Sequence, residues 1–179
     1  LYVMFVAPPE KEVEWNDAGL EGSYRFLARV WRLLEHWRGT IVHGTGDTPA
    51  AWGSLDVSER AMRRKTHDTI RRVTADIEER QQLNTAVSAM MELVNELYAF
   101  SERTVTGGPT RRSEDEEVGA VHGERREVVA VVREALEALV RLLSPFAPHT
   151  AEEMWQRLGH TDTLTAVSWP TYDAAVARA

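Results

Sequence analysis

The segment ERREVVAVVREALEALVRLLS, residues 124–144, carries the most apolar helical pattern in the sequence. Its apolar residues recur at intervals of three and four, the spacing that places side chains on one face of an α-helix. The central seam consists of Val128, Val132, Leu136, Leu139 and Leu143. Further aliphatic residues widen this seam on both sides, so the helix is predicted to be buried on several sides. We therefore expect it to lie at the centre of a helical bundle.

Other segments also have helical patterns. Long amphipathic helices are predicted over 22–38, 58–80 and 83–101, and Thr150 and Glu153 match a capping box at the start of a short final helix. Loops containing glycine and proline separate these segments, and no hairpin pattern is present. The predicted fold class is all-α, an antiparallel helical bundle of four long helices plus a short C-terminal helix.

Composition excludes several kinds of site. The chain has 179 residues, a formal net charge of −7, 43% hydrophobic residues and no cysteine. Disulfides, thiolate metal sites and a cysteine nucleophile are therefore excluded. No apolar run approaches the roughly 20 residues that span a membrane, so no membrane partner is expected. The six histidines include no pair at metal-binding spacing, and no metal ligand is assigned.

Catalytic motifs are also absent from the sequence. It contains no Gly-x-Ser-x-Gly elbow, no Walker loop and no dinucleotide fingerprint. The adjacent pairs Glu78-Glu79 and Glu152-Glu153 point about 100° apart on their helices, so neither pair converges on one substrate atom. We therefore assign no catalytic residue.

The segment SERAMRRKTHDTIRRVTADIEER, residues 58–80, combines an apolar stripe with a basic one. The basic residues recur at helical spacing and are Arg60, Arg63, Arg64, His67 and Arg71. Such a stripe in an acidic chain indicates contact with RNA phosphates, which positions RNA without reading its sequence. The alternative is a solvated basic face paired with acids, including Asp68 and Asp76.

A second basic stripe lies on the predicted helix 22–38. It consists of Arg25, Arg29, Arg32 and His36. A solvated helix face is the simpler interpretation of this stripe. Both stripes can hold one RNA only if they face the same way.

Four segments together carry a family pattern. They are MFVAPPEKEVEWNDAGLEGSYRFLARVW at 4–31, RRKTHDTIRRVTADIEERQQLNTAVSAMMELVNEL at 63–97, LLSPFAPHTAEEMWQRLG at 142–159 and VSWPTYD at 167–173. These segments resemble the anticodon-binding helical domain of bacterial leucyl-tRNA synthetases, which are class I aminoacyl-tRNA synthetases. The element around Ser144-Pro145-Phe146 is shared with isoleucyl and valyl enzymes. The first two segments favour the leucyl member.

The resemblance implies a tRNA-binding role within a larger enzyme. The implied partners are tRNA(Leu) and the catalytic and editing domains of the same chain. The His-Ile-Gly-His and Lys-Met-Ser-Lys-Ser signatures do not occur here, so leucine activation with ATP and Mg²⁺ is assigned to the full-length enzyme and no cofactor to this part. A cytoplasmic location is also implied. Arg80, a family-typical residue, joins the basic stripe as a predicted RNA contact.

The resemblance also suggests a domain organisation. Residues 1–18 are interpreted as a connector from a catalytic body, 19–160 as the anticodon-binding bundle, and 161–179 as an irregular tail leading to a C-terminal domain. A mobile loop is predicted over about 102–123. It looks longer than in many relatives and contains the acidic run Glu114–Glu117, which argues against RNA contact there.

Two alternatives remain open from the sequence. One is the equivalent domain of an isoleucyl- or valyl-tRNA synthetase. The other is a helical protein-interaction module without an RNA partner. The sequence does not establish which arginines touch RNA.

Overall fold

The computed structural model describes residues 1–7, 15–43, 52–105 and 126–178. All regular secondary structure in these residues is helical, which confirms the all-α prediction. The four long helices are α2 (Asp17–His43), α3 (Val57–Glu78), α4 (Leu83–Val105) and α5 (Arg126–Leu143). The shorter elements are α1 (Tyr2–Val6), α6 (Pro148–Arg157), a 3-10 turn (Leu164–Ala166) and α7 (Ala174–Arg178).

Helices α4 and α5 form the middle of the bundle. Helix α3 packs against both, and α2 also packs against both, whereas α2 and α3 make little direct contact within the described residues. The two outer helices therefore lie on opposite sides of the α4–α5 pair. All five residues of the predicted α5 seam are buried, and α5 contacts α2, α3, α4 and α6, so its predicted central position is confirmed.

Helix α2 is longer than the predicted range 22–38. Its backbone begins where the Asn16 side-chain oxygen accepts from the N–H of Ala18 at 2.9 Å, which satisfies one of the free donors of the first turn. At the other end Ile41 is buried. Tyr24 is 71% exposed, and the buried apolar positions of α2 are Phe26, Val30, Leu33, Leu34, Trp37 and Ile41.

The short helix α6 begins at Pro148 and lacks the capping box that the sequence predicted. Its N-cap is Ala147, which makes no side-chain capping bond, and Pro148 occupies the first helical turn. Proline is favoured there because its fixed φ suits the helix and its missing N–H is not needed. The predicted capping box of Thr150 and Glu153 is therefore wrong. Gly159 follows the C-cap Leu158 and has φ +96°, a conformation that glycine adopts without strain.

The tail predicted to be irregular is partly helical and packs against α3. The indole N–H of Trp169 donates to the hydroxyl of Thr74 at 2.8 Å, and Arg141 of α5 donates to the carbonyl of Ser168. Asp173 then accepts from the N–H of Ala175 at 2.8 Å, which supports the start of α7. A helix this short gives almost no periodic signal, so its formation depends on these tertiary contacts.

The predicted loop over 102–123 and the predicted connector over 1–18 are described only in part by the structure. Helix α4 continues to Val105, so the predicted loop over 102–123 begins later than expected. The remainder of that loop, including Glu114–Glu117, lies outside the described residues. At the N-terminus, α1 packs against α2 and α4 and the side chain of Tyr2 is buried. The assignment of residues 1–18 as a connector stays a prediction.

Candidate nucleic-acid interface

A capping box fixes where α3 begins and so determines the direction in which its basic side chains point around the helix axis. The Asp56 carboxylate accepts from the N–H of Glu59 at 2.9 Å, and the Glu59 carboxylate accepts from the N–H of Asp56 at 2.7 Å. This reciprocal arrangement satisfies two donors that a helix N-terminus otherwise leaves free. With the first turn fixed, helix geometry determines the direction of every later side chain.

The structure does not place Arg63 on an open basic face. Its Nε lies 2.7 Å from Glu134 Oε2 and a terminal nitrogen lies 3.0 Å from Oε1, a two-point ion pair between α3 and α5. The guanidinium also lies over the ring of Trp52, 3.7 Å from the ring centre. The side chain is only 14% exposed. Two of its N–H donors are used inside the domain, so Arg63 joins α3 to α5, and RNA contact by Arg63 stays a prediction.

His67 is likewise turned inward and is 7% exposed. The backbone N–H of Asp173 donates to its Nδ1 at 3.1 Å, so Nδ1 carries no proton. The Nε2 atom lies 3.2 Å from Glu134 Oε1 and is therefore the protonated nitrogen, donating to the carboxylate. His67 thus joins α3, α5 and the tail as a neutral imidazole, and the prediction that it lies on an exposed basic face is wrong.

Glu134 is the shared acceptor of this arrangement. Burial opposes ionisation of its carboxyl, but the hydrogen bonds from His67 and Arg63 outweigh that effect and lower the pKa of Glu134 below its ordinary value. The carboxylate therefore stays charged at neutral pH. One acid of α5 compensates a cation of α3 and orients the histidine beside it.

The exposed part of the stripe consists of Arg60, Arg64 and Arg71, which we call the outer arginine edge of α3. These residues fall within about 40° of each other around the helix axis. Arg60 donates to the carbonyl of Leu55, and Arg71 pairs with Asp68 at 2.6 Å. Arg64 has no polar side-chain partner within the described residues. RNA contact by these three arginines stays a prediction.

Arg80 lies beyond the end of α3, in the turn to α4. Its side chain is about half exposed and pairs with the buried Asp76 at 2.9 Å. The other oxygen of Asp76 accepts from the hydroxyl of Thr85 at 2.7 Å, and Gln81 has φ 53°. Arg80 is thus held at the end of the bundle with part of its surface open, and its predicted RNA contact is neither supported nor opposed by this pairing.

Two other cations of α3 are neutralised by α4. Glu92 accepts from Lys65 at 2.8 Å and from Arg72 at 2.7 Å. Hydrogen bonds from Arg72 and then Lys65 lower the pKa of Glu92 to about 2. Pairing with acids therefore accounts for much of the local excess of cations, as the alternative interpretation expected.

We expect Arg72→Gln to raise the pKa of Glu92 above about 2, because Arg72 supplies the largest of the contributions that lower it. Carboxyl-carbon NMR titration of Glu92 measures this directly. The control is Arg103→Gln, the same change at an exposed arginine of α4, the helix that carries Glu92. It leaves the Glu92 titration unchanged. A Glu92 pKa that is the same in wild type and Arg72→Gln contradicts the bridging geometry.

The second basic stripe faces away from the first. Arg29 stacks over Tyr98 at 5.0 Å, Arg25 pairs with Glu21 at 3.6 Å, and Arg32 and His36 are exposed. Because α2 and α3 lie on opposite sides of α4 and α5, their outer faces point in opposite directions. One straight RNA stem cannot lie along both stripes.

The described residues contain no group of three or more His, Asp or Glu side chains that could hold a metal ion. None of the helices in this part of the chain is both long and apolar enough to cross a membrane. The polar clusters of the described residues join helices, and the exposed outer arginine edge is a charged surface on which a partner can dock.

The sequence patterns did not identify three residues that contact Arg63 or His67. Glu134 was hidden in an apolar helix, Trp52 followed a glycine-rich loop, and Asp173 lay in the tail that was expected to be irregular. The VSWPTYD segment at 167–173 was noticed as part of the family pattern, and that was the available signal. Periodicity alone does not connect it to His67, which is more than 100 residues away.

Comparison with known proteins identifies the family. The family model described as "Anticodon-binding domain of tRNA ligase" matches residues 59–179, which is more than half of the chain. The chain belongs to the anticodon-binding domain family of tRNA ligases. The matched region begins in the first turn of α3 and ends with the tail that packs on α3. It therefore includes α3, α5 and the tail, the three parts of the chain that His67 joins.

Leucine–tRNA ligases are among the most similar relatives of this tRNA-ligase domain. The protein from Geobacter sp. (strain M21) is 45% identical over 98% of the chain, as is that from Citrifermentans bemidjiense. A crystal structure of a ternary LeuRS–tRNA–LeuAMS complex from Agrobacterium radiobacter K84 matches with a TM-score of 0.75 and 27% identity over 98% of the chain. The chain spans about a fifth of these proteins, 18% of the two relatives and 19% of the structure.

Proposed function

We propose that this chain is the tRNA-positioning domain of a leucine–tRNA ligase, whose intact form ligates leucine to tRNA(Leu) using ATP. The observation that carries the proposal is 45% identity to leucine–tRNA ligases over 98% of the chain. The ternary complex with tRNA that shares the fold supports tRNA as the partner. A cytoplasmic location accompanies this proposal.

The domain contributes position rather than chemistry. ATP, Mg²⁺ and leucine are assigned to the catalytic body, as the family resemblance implies, and the residues described here do not include a metal-binding cluster. The outer arginine edge of α3 holds phosphates of the tRNA backbone so that the acceptor end reaches the active site. Contact with the backbone suits double-helical RNA, because its major groove is too deep and narrow for side chains to read the bases.

Charging assays with the intact protein test this proposal. We expect ATP-dependent attachment of leucine to tRNA(Leu), with isoleucine and valine attached far more slowly to their own tRNAs. Preference for isoleucine or valine assigns the chain to one of those enzymes instead. Absence of all charging together with salt-independent binding of a protein partner supports the protein-interaction alternative.

A further inference from the structure

Residues 168–178, which we call the tail segment, lie along one side of α3 in the opposite direction to that helix. Trp169 bonds to Thr74, and Asp173 bonds to His67, about two turns nearer the start of α3. Helix α7 follows and packs against α3. The tail segment therefore continues toward the part of α3 that carries Arg60 and Arg64.

The tail segment borders the outer arginine edge. Around the axis of α3, His67 is separated from Arg60 by about 20°, from Arg71 by about 40° and from Arg64 by about 60°. A segment held on His67 therefore forms one side of the surface that these arginines offer. Its last described residue, Arg178, is exposed.

We propose that His67 is a positioning residue that holds the tail segment beside the outer arginine edge through the acceptor Nδ1 of its neutral imidazole. The inference rests on the proposed function, since the edge it shapes is the one proposed to hold tRNA. In this arrangement His67 contributes to tRNA binding without touching RNA and without carrying a positive charge.

The hydrogen bonds around the ring give this contact a definite response to protonation. The charged groups that face the ring are Glu134 of α5 and Arg63 of α3 itself, while the Asp173 carboxylate caps α7 and Glu92 of α4 is engaged by other cations. Protonation places a second N–H at Nδ1, facing the N–H of Asp173, so the tail contact is lost. The hydrogen bond from Nε2 to Glu134 is kept and becomes an ion pair, because the imidazole is then positively charged.

This response is opposite to that of a histidine that contacts phosphate. A phosphate-binding histidine gains affinity for RNA when it is protonated. His67 releases the tail segment when it is protonated, so acidification disturbs the RNA edge. The sign of the pH dependence therefore separates the two roles.

Two substitutions separate the two nitrogens of His67. In His67→Asn the amide oxygen takes the place of Nδ1 and still accepts from Asp173, while the contact to Glu134 is lost. In His67→Gln the amide N–H₂ reaches toward Glu134, while no acceptor remains at the Nδ1 position. Each variant thus keeps one of the two hydrogen bonds and removes the other.

Amide hydrogen exchange in the intact protein tests the contact. We expect His67→Gln to speed exchange of peptides from 168–178 by about 5- to 100-fold, the loss that follows from leaving one donor unpaired, while His67→Asn exchanges as wild type does. Peptides from α5 serve as the internal reference for folding. Under conditions in which NMR shows the His67 imidazole to be protonated, the wild-type tail is deprotected beyond the intrinsic effect of pH, and the tail of His67→Asn is not.

Charging kinetics connect the contact to tRNA. We expect His67→Gln to raise the KM for tRNA several-fold with kcat nearly unchanged, and His67→Asn to restore the wild-type KM. A tail segment that stays protected in His67→Gln overturns the proposal, as does a released tail segment with an unchanged KM. If the wild type charges no tRNA, the proposed function fails, and the exchange measurements still decide whether His67 holds the tail.

Discussion

Glu134→Ala lowers the free energy of unfolding by about 2 to 4 kcal/mol, the largest expected effect of a single polar substitution in this domain. The substitution leaves the guanidinium of Arg63 without its two-point acceptor and the Nε2–H of His67 unsatisfied. Stacking on Trp52 retains part of the Arg63 interaction, which keeps the loss below that of a fully buried ion. Urea unfolding at neutral pH measures the change.

Glu96→Ala is the matched control, because Glu96 is an exposed glutamate of α4 with no ion pair within the described part of the chain. Its effect is expected within about 0.5 kcal/mol of zero. Equal effects of the two substitutions contradict the assignment of Glu134 as the central acceptor.

The pH dependence of the Glu134 contribution has a defined sign. Its pKa is lowered in the folded protein, so its stabilisation is complete above the carboxyl pKa of the unfolded chain, about 4.3. The stabilisation is lost as the pH falls from there through the lower folded pKa. The titration of Glu134 itself therefore leaves the stability difference between wild type and Glu134→Ala unchanged around neutral pH and reduces it below about pH 4.

The fold was predictable where a single helix decides its own burial. The α5 seam from Val128 to Leu143 has so many apolar positions that any bundle must bury it, and all of its seam residues are buried. Helix ends were less predictable, because they depend on individual hydrogen bonds. The hydrogen bond from the Ala18 N–H to Asn16 supports a start of α2 before the predicted residue 22, and the predicted capping box of α6 does not form.

The composition of the basic stripe was predictable, but its division into inner and outer residues was not. Arg60, Arg63, Arg64, His67 and Arg71 span about 100° of α3, and periodicity gives no reason to separate them. The separation is made by α5, which supplies Glu134, and by the tail, which supplies Asp173. Both partners are distant in sequence, so local patterns carry no information about them.

The resemblance to a family supplies part of the information about distant partners that local patterns lack. It groups residues 63–97 with the closing segment 167–173, although no periodic pattern connects the two. The structure gives that grouping a physical basis, since Thr74 bonds to Trp169 and His67 bonds to Asp173. A pattern without obvious periodicity can therefore reflect tertiary packing.

The combined substitution Arg60→Glu plus Arg64→Glu weakens tRNA binding by about 10- to 100-fold at low salt. Both arginines are exposed on the outer arginine edge, and neither forms an ion pair with another described residue. The log–log salt slope is expected to become shallower by about 1.4 to 1.8, because each lost phosphate contact removes about 0.7 to 0.9. Titration of labelled tRNA at several salt concentrations gives both quantities.

Arg25→Glu plus Arg32→Glu on α2 is the control with the same change of charge. These arginines lie on the opposite side of α4 and α5, so a general electrostatic effect weakens both variants alike, whereas a contact surface on α3 weakens only the first. Arg63 is unsuitable for this test, because its reversal breaks the ion pair with Glu134 and destabilises the bundle. Stronger loss in the α2 variant places the RNA on the other face and contradicts the outer arginine edge as the tRNA-binding surface.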